Sequence, residues 1–172
     1  MKEQTVFSTP WFNIVEKYSL NISDDPFYSL QTLDYINVLA ITNQKEILLV
    51  KQYRPAVNNF TLELPGGHIE KNQQPEQAAQ NELFEETGYL ANNLDLLGIL
   101  NPDVGRMTNK LWCYYTGDMS IANKWKPEKG IEVVKYPIQQ MTELIDNKQF
   151  SHALNLAVLY LAELKDVLSI IK

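Results

Sequence analysis

The chain reads as an α+β protein, an α/β/α sandwich around a mixed sheet, and three features of its 172 residues predict this. The first half is a succession of β-prone segments. One helical stretch interrupts them near the middle. Strand-like segments then resume, and two helical segments follow them.

Taken in order, Trp11 to Leu20 is an expected strand with a polar break. Tyr35 to Thr42 is strongly β-prone; Asn43-Gln44-Lys45 has the composition of a hairpin turn, and Glu46 to Tyr53 is the return strand. Phe60 to Leu64 is a short strand ending at Pro65-Gly66-Gly67, which is expected to be a turn. The period then changes. Pro75 suits a first helical position, Ala78, Ala79 and Leu83 recur at helical spacing, and Gly88 can supply a left-handed stop. A helix over Pro75 to Thr87 follows. Further strands are expected at Leu94 to Leu100, Lys110 to Gly117 and Ile131 to Tyr136. Pro137 opens a short helix to about Asp146. Ser151 is a candidate cap for the last helix, with Leu154, Val158, Leu161, Leu164 and Leu168 as its buried stripe.

Composition bounds the possibilities. The length suits one domain over 1–172. Apolar residues make up 45% and charged residues 21%, enough apolar material for a core. The net charge of -6 argues against a nucleic-acid binder, which would carry a basic face. An acidic protein still binds phosphates if cations supply the positive charge. The one cysteine, Cys113, excludes an intrachain disulfide and fits a reducing, cytoplasmic setting. It sits in an apolar run and reads as a core residue rather than a nucleophile. The start has no apolar targeting core, and no apolar run is long enough to span a membrane.

The predicted central helix carries the chemistry. Glu82, Glu85 and Glu86 stand at i, i+3 and i+4 and so project to one side. Like charges at this spacing repel. A divalent cation would relieve the repulsion, since carboxylate oxygens are the donors that Mg2+ and Mn2+ prefer. The plainer reading is a solvated acidic face. The loop before the helix weighs against it, because Gly66 and Gly67 have no Cβ and let backbone approach an ion or phosphate closely.

From Gly67 to Tyr89 the chain resembles the Nudix box, G-x5-E-x7-R-E-U-x-E-E-x-G-U, where U is apolar. Gly67, Glu82, Leu83, Glu85, Glu86 and Gly88 fall at their places, and Tyr89 takes the last bulky position. The flanks, Val50-Lys51-Gln52-Tyr53-Arg54-Pro55, Leu62-Glu63-Leu64-Pro65-Gly66-Gly67 and Lys126 to Val133, resemble the ADP-ribose pyrophosphatase branch. Two box positions depart: Gln73 stands for the first glutamate and Asn81 for the arginine. One explanation is that an ion pair has been exchanged for an amide hydrogen bond; the other is weakened catalysis.

What the resemblance implies is a Nudix-type sandwich with a central catalytic loop-helix. The activity would be Mg2+-dependent cleavage (Mn2+ a possible substitute) of ADP-ribose or a related nucleotide sugar to AMP and a sugar phosphate. The partners would be a small nucleotide and a second copy of the chain, residues 1–34 contributing to the homodimer; neither nucleic acid nor membrane is expected. Glu82, Glu85, Glu86 and the Gly66 carbonyl would hold the metal, with Glu85 also a catalytic glutamate. A general base often lies outside the box in this branch. Glu132 is the first choice and Glu128 the second, although Glu132 could equally be an outward strand residue. Arg54 is a candidate phosphate clamp, or a surface arginine. Glu63 could orient Arg54 or bind a ribose hydroxyl. Trp11 could stack on a nucleobase or simply pack. Arg106 lies in a turn-rich loop that could close over substrate or be an ordinary loop. His68 and His152 read as structural, since neither has a second histidine at metal spacing. Two other readings stay open: Nudix chemistry on another nucleotide or dinucleotide, and a non-catalytic nucleotide-binding domain.

Overall fold

The computed structural model describes residues 2–18 and 25–169. Its strands are β1 (Lys2–Ser8), β2 (Asn13–Tyr18), β3 (Phe27–Gln31), β4 (Tyr35–Ala40), β5 (Glu46–Arg54), β6 (Asn59–Glu63) and β7 (Gly66–His68). Helix α1 (Pro75–Thr87) follows, then β8 (Tyr89–Ala91), β9 (Asp95–Leu100), β10 (Leu111–Thr116), β11 (Met119–Ile121) and β12 (Ile131–Pro137). A 3-10 turn at Ile138–Gln140 leads into α2 (Met141–Asp146), and α3 (Ala153–Leu164) completes the order.

The central sheet runs β7-β4-β10-β9 and is mixed: β4 and β10 are parallel, and both edge pairings are antiparallel. A second sheet, β12-β5-β6, is antiparallel, as is the β1-β2-β3 sheet. The apolar run of β4 is explained by burial on both faces. Ile36, Val38 and Ala40 pack with Ala78, Ala79 and Leu83 of α1, whereas Leu39 packs on the other side with Val158, Leu159 and Ala162 of α3. Successive side chains point to opposite faces of a strand, so a strand between two helical layers is apolar on both faces except where a buried polar group, here Asn37, finds a partner. This is the expected α/β/α sandwich, and α1 has its expected bounds. Pro75 opens it, and Gly88 closes it at φ 75°, its N–H donating to the Phe84 carbonyl at 2.8 Å.

Other expectations are corrected. Trp11 lies outside any strand, in the turn between β1 and β2, where Thr9 Oγ1 accepts from the Trp11 and Phe12 amides at 3.1 and 2.9 Å. Ser19 and Leu20 of the expected strand lie outside the described residues. β1 and β3 were not expected; β1 is exposed along its whole length and so lacks the apolar alternation that marks a half-buried strand. β8 and β11, three residues each, are too short to show a period. The expected turn at Pro65-Gly66-Gly67 is a bend at Pro65 alone. Gly66 and Gly67 are extended and pair with Asn37 and Ile36 of β4. Glycine is needed at 66 for contact, not for reversal: a Cβ there would stand 2.3 Å from both the Ile36 carbonyl and the side-chain Nδ2 of Asn37. Ser151 does not cap α3. His152 takes that position, with no side-chain cap bond. The buried stripe of α3 is Asn155, Val158, Leu159 and Ala162; Leu164 is exposed, and Leu168 is buried beyond the helix end.

That stripe contains a polar residue with a structural task. Asn155 is fully buried; its Oδ1 accepts from the Leu64 amide at 2.9 Å and its Nδ2 donates to Asn37 Oδ1 at 3.1 Å. The two asparagines tie α3 to β4 and to the backbone just before the Pro65 bend. Removing one partner leaves the others buried and unsatisfied. Asn155→Ala is therefore expected to lower the free energy of unfolding by about 2–4 kcal/mol. Urea denaturation measures it, and a loss below about 0.5 kcal/mol would show that this bridge does not join the layers.

Candidate functional site

The site assembles where α1 meets β7. The face of α1 that packs Ala78, Ala79 and Leu83 on β4 also turns Glu82 and Glu86 toward the two glycines of β7, the next strand of the same sheet. Glu86 is buried, Glu82 is half-buried and Glu85 is exposed. The Gly66 amide donates to Glu86 Oε2 at 2.9 Å. At Gly67 an added Cβ would stand 2.3 Å from Glu82 Oε1, so the glycine makes the seat for that carboxylate.

The electrostatics are those of crowded acids. Burial, reinforced by the charges of Glu85, Glu128 and Glu70, pushes the Glu82 carboxyl up to about 7. Burial likewise pushes Glu86 up to about 8, with Glu82 and Glu128 adding to the shift and the Gly66 amide opposing it. Among the described residues no three Asp, Glu, His or Cys side chains are drawn together into a cage for an ion. The donor set nevertheless fits a hard divalent cation. Its groups are carboxylates, they share one field, and a cation is what would let two buried acids ionise together.

A cleft of ≈ 1190 Å³ lies on the other side of the glycine strand and is lined by Gly66, Gly67 and His68. Arg54 and Glu63 face each other within it, at the ends of β5 and β6. The fork is bidentate: Arg54 Nε donates to Glu63 Oε1 at 2.8 Å and Nη2 to Oε2 at 2.7 Å, and Thr61 Oγ1 donates to Oε1 at 2.6 Å. Burial opposes ionisation of Glu63, but these bonds more than offset it and hold its carboxyl below the ordinary range. Arg54 remains half-exposed toward the cleft with donors to spare.

The sequence candidates for the base separate. Glu132 lies on β12, exposed at the cleft wall, ion-paired with Lys51 at 3.5 Å. Its charge is not among those acting on Glu82 or Glu86, whereas that of Glu128 acts on both. Glu128 belongs to the β11–β12 loop and lines a small hollow with Glu85. Trp11 is 74% exposed and does not line the cleft. Nor does Arg106, whose loop is tied to β3: the Leu30 amide donates to the Arg106 carbonyl at 2.7 Å. His68 and His152, read as structural, both line the cleft; His68 packs its ring on Tyr35 at 4.7 Å, and burial lowers its basicity. Cys113 is fully buried, and burial pushes its thiol up to about 12, so it stays protonated. Gln73 does not replace an ion pair with a bond to Asn81. Its Oε1 accepts from the Glu70 amide at 3.0 Å, and Asn81 lies exposed. The functional contacts that sequence reasoning missed are Thr61 on Glu63 and the asparagine bridge below Pro65. None of Thr61, Asn37 and Asn155 belongs to a motif.

The Glu86 shift has a consequence for stability. The ordinary carboxyl value is 4.5, and folded Glu86 keeps its proton to about 8. Between these the unfolded chain has released a proton that the folded chain retains, so rising pH favours unfolding. Glu82 adds the same slope up to about 7. Glu86→Gln removes one of these titrations while leaving an acceptor for the Gly66 amide. In chelator, the variant should therefore gain Tm relative to the original chain between about pH 5 and about pH 8. Parallel Tm curves for the two proteins would contradict the buried-acid account.

Comparison with known proteins was consistent with this geometry. The family described as NUDIX domain matches residues 33–154. An ADP-ribose pyrophosphatase of Bacillus subtilis (strain 168) is 26% identical over 136 residues, 77% of this chain and 74% of that protein. An ADP-sugar pyrophosphatase of Mus musculus is 32% identical over 126 residues, 69% of this chain but only 58% of the mouse protein. Among solved structures, one described as an ADP compounds hydrolase superposes with a TM-score of 0.80 at 21% identity, covering 96% of this chain and 91% of that one, a likeness of fold.

Proposed function

Because this chain belongs to the Nudix family of hydrolases, we propose that it cleaves the pyrophosphate bond of ADP-ribose or a closely related ADP-sugar, releasing AMP and a sugar phosphate. The observation that carries the reading is the seating of Glu82 and Glu86 against Gly66 and Gly67, beside a cleft that holds the Arg54–Glu63 fork. Glu82, Glu85, Glu86 and the Gly66 carbonyl would hold Mg2+, with Mn2+ a possible substitute. When bound, the ion neutralises phosphate charge and makes the bridging bond easier to break.

The chain's own groups do the rest. Glu63 holds the Arg54 guanidinium in one orientation, and the donors it leaves over meet a phosphate oxygen. Glu128 accepts the proton of the attacking water. Its support over Glu132 is that its charge reaches Glu82 and Glu86, while Glu132 is paired with Lys51. His68 and Tyr35 shape the cleft wall. Trp11 would reach a nucleobase only if a second copy of the chain brought it to the cleft. Val6, Phe7, Trp11, Phe27 and Tyr28, all exposed on or beside the N-terminal sheet, support such a pairing; sedimentation measures it.

The test is product analysis over nucleoside diphosphate compounds with and without Mg2+. AMP released from ADP-ribose only with the metal is the expected result. Binding without turnover, even with Mn2+, would instead favour a nucleotide-binding domain, the reading that Asn81 and Gln73 keep in play. Glu128→Gln should lower kcat by about 10²–10⁴. Glu132→Gln should leave kcat within a few-fold of normal. The reverse order would transfer the role to Glu132. Arg54→Lys should raise KM, because an ammonium cannot form the fork with Glu63.

A further inference from the structure

The loop between β11 and β12 carries Glu128, and nothing in its own sequence makes it rigid. Residues 122–130 form neither strand nor helix, and Gly130 adopts φ 92°. The loop is instead fastened to the end of α1 at three points. Trp125 Nε1–H donates to the Glu85 carbonyl at 3.0 Å. The same indole lies flat against Gly88: a Cβ there would stand 2.6 Å from Trp125 Cδ2. The Ala122 amide donates to the Gly88 carbonyl at 3.0 Å. Glu85, Trp125 and Glu128 then line one hollow of ≈ 320 Å³.

We propose that Trp125 is a positioning residue, a clasp that uses the free carbonyl at the C-terminal turn of α1 and the bare face of Gly88 to hold Glu128 beside the acidic helix. The physical logic is local. The last carbonyls of a helix have no partner within it, so an indole N–H arriving from another segment satisfies one of them. Gly88, already left-handed to end the helix, offers a surface with no side chain on which a planar ring can lie. One glycine thus stops α1 and receives the clasp. The loop is thereby set beside Glu85. This rests on the reading of Glu128 as the base, and the experiment separates the two.

The loop contains Lys124 and Lys129 as trypsin sites, Lys126 being protected by Pro127. In the intact chain Trp125→Ala should speed tryptic cleavage at Lys124 and Lys129 several-fold while the overall Tm changes little. It should lower kcat by about 10–100-fold with KM little changed, since misplacing a catalytic group by an ångström costs that much. Trp125→Phe keeps a ring on Gly88 without the N–H and should fall between the two. In the Glu128→Gln background, adding Trp125→Ala should change kcat no further, because a residue acting through Glu128 has nothing left to position. Additive losses would overturn the proposal, as would cleavage and kcat equal to those of the original chain. A slow Trp125→Ala beside a normal Glu128→Gln would overturn both the clasp's route to catalysis and the assignment of the base. A silent Trp125→Ala beside a slow Glu128→Gln would overturn the clasp alone.

Discussion

The rest of the site depends on the burial of two glutamates of one helical turn against a strand of bare glycine. Moving a carboxylate out of water is costly unless something compensates it. At Glu86 the compensation within the chain is one backbone amide, from Gly66, and the more distant charge of Arg54, and it is insufficient: the carboxyl is still pushed up to about 8. The molecule therefore holds a concentrated demand for positive charge at one point on its surface. A divalent cation and the phosphates it gathers are the chemical answer to that demand.

Most of the surrounding architecture can be understood as holding that point still. α1 cannot roll, because Ala78, Ala79 and Leu83 are locked against β4. The glycine strand cannot drift, because it is paired to β4 on one side and follows a backbone bend whose neighbour, Leu64, is held by buried Asn155. The sandwich thus presses one face of β4 on the helix that carries the acids, and the other face on the helix that anchors the bend. Packing rather than charge orients the acids. That is why the neutral residues at Gln73 and Asn81 leave α1 intact: Gln73 caps the Glu70 amide, and Asn81 points to solvent.

The two halves of the site come from different layers. The acid half belongs to α1 and the β11–β12 loop. The basic half belongs to the β5–β6 hairpin, where Glu63 is buried and ionised by its fork with Arg54. Two glutamates of one chain therefore have opposite proton affinities. Glu63 has a guanidinium and a hydroxyl bonded to it, whereas Glu86 has one amide, like-charged neighbours and only the distant charge of Arg54. Hydrogen bonding and pairing, not residue type, divide the carboxylates into those whose proton affinity is raised and those that stay ionised and orient a guanidinium.

From the sequence by itself the helix, its stop and its row of acids were determined. A period of 3.6 and the conformational demands of Pro75 and Gly88 act within a few residues, and such effects survive without a tertiary context. The strand at β4 was legible for the same reason, in its run of β-prone residues. What only the tertiary structure decided was which distant residues meet. Glu128 and Glu132 are four positions apart and chemically identical, yet one faces the acidic helix and the other pairs with Lys51 across a strand. Gly66 and Gly67 looked like a turn because glycine permits one; the crowding that requires glycine there comes from β4 at Gly66 and from Glu82 of α1 at Gly67. Asn155 and Asn37 are 118 positions apart, and their bond exists only once two layers close over them. Local backbone preference is written in neighbouring residues, whereas burial, field and contact belong to the folded whole.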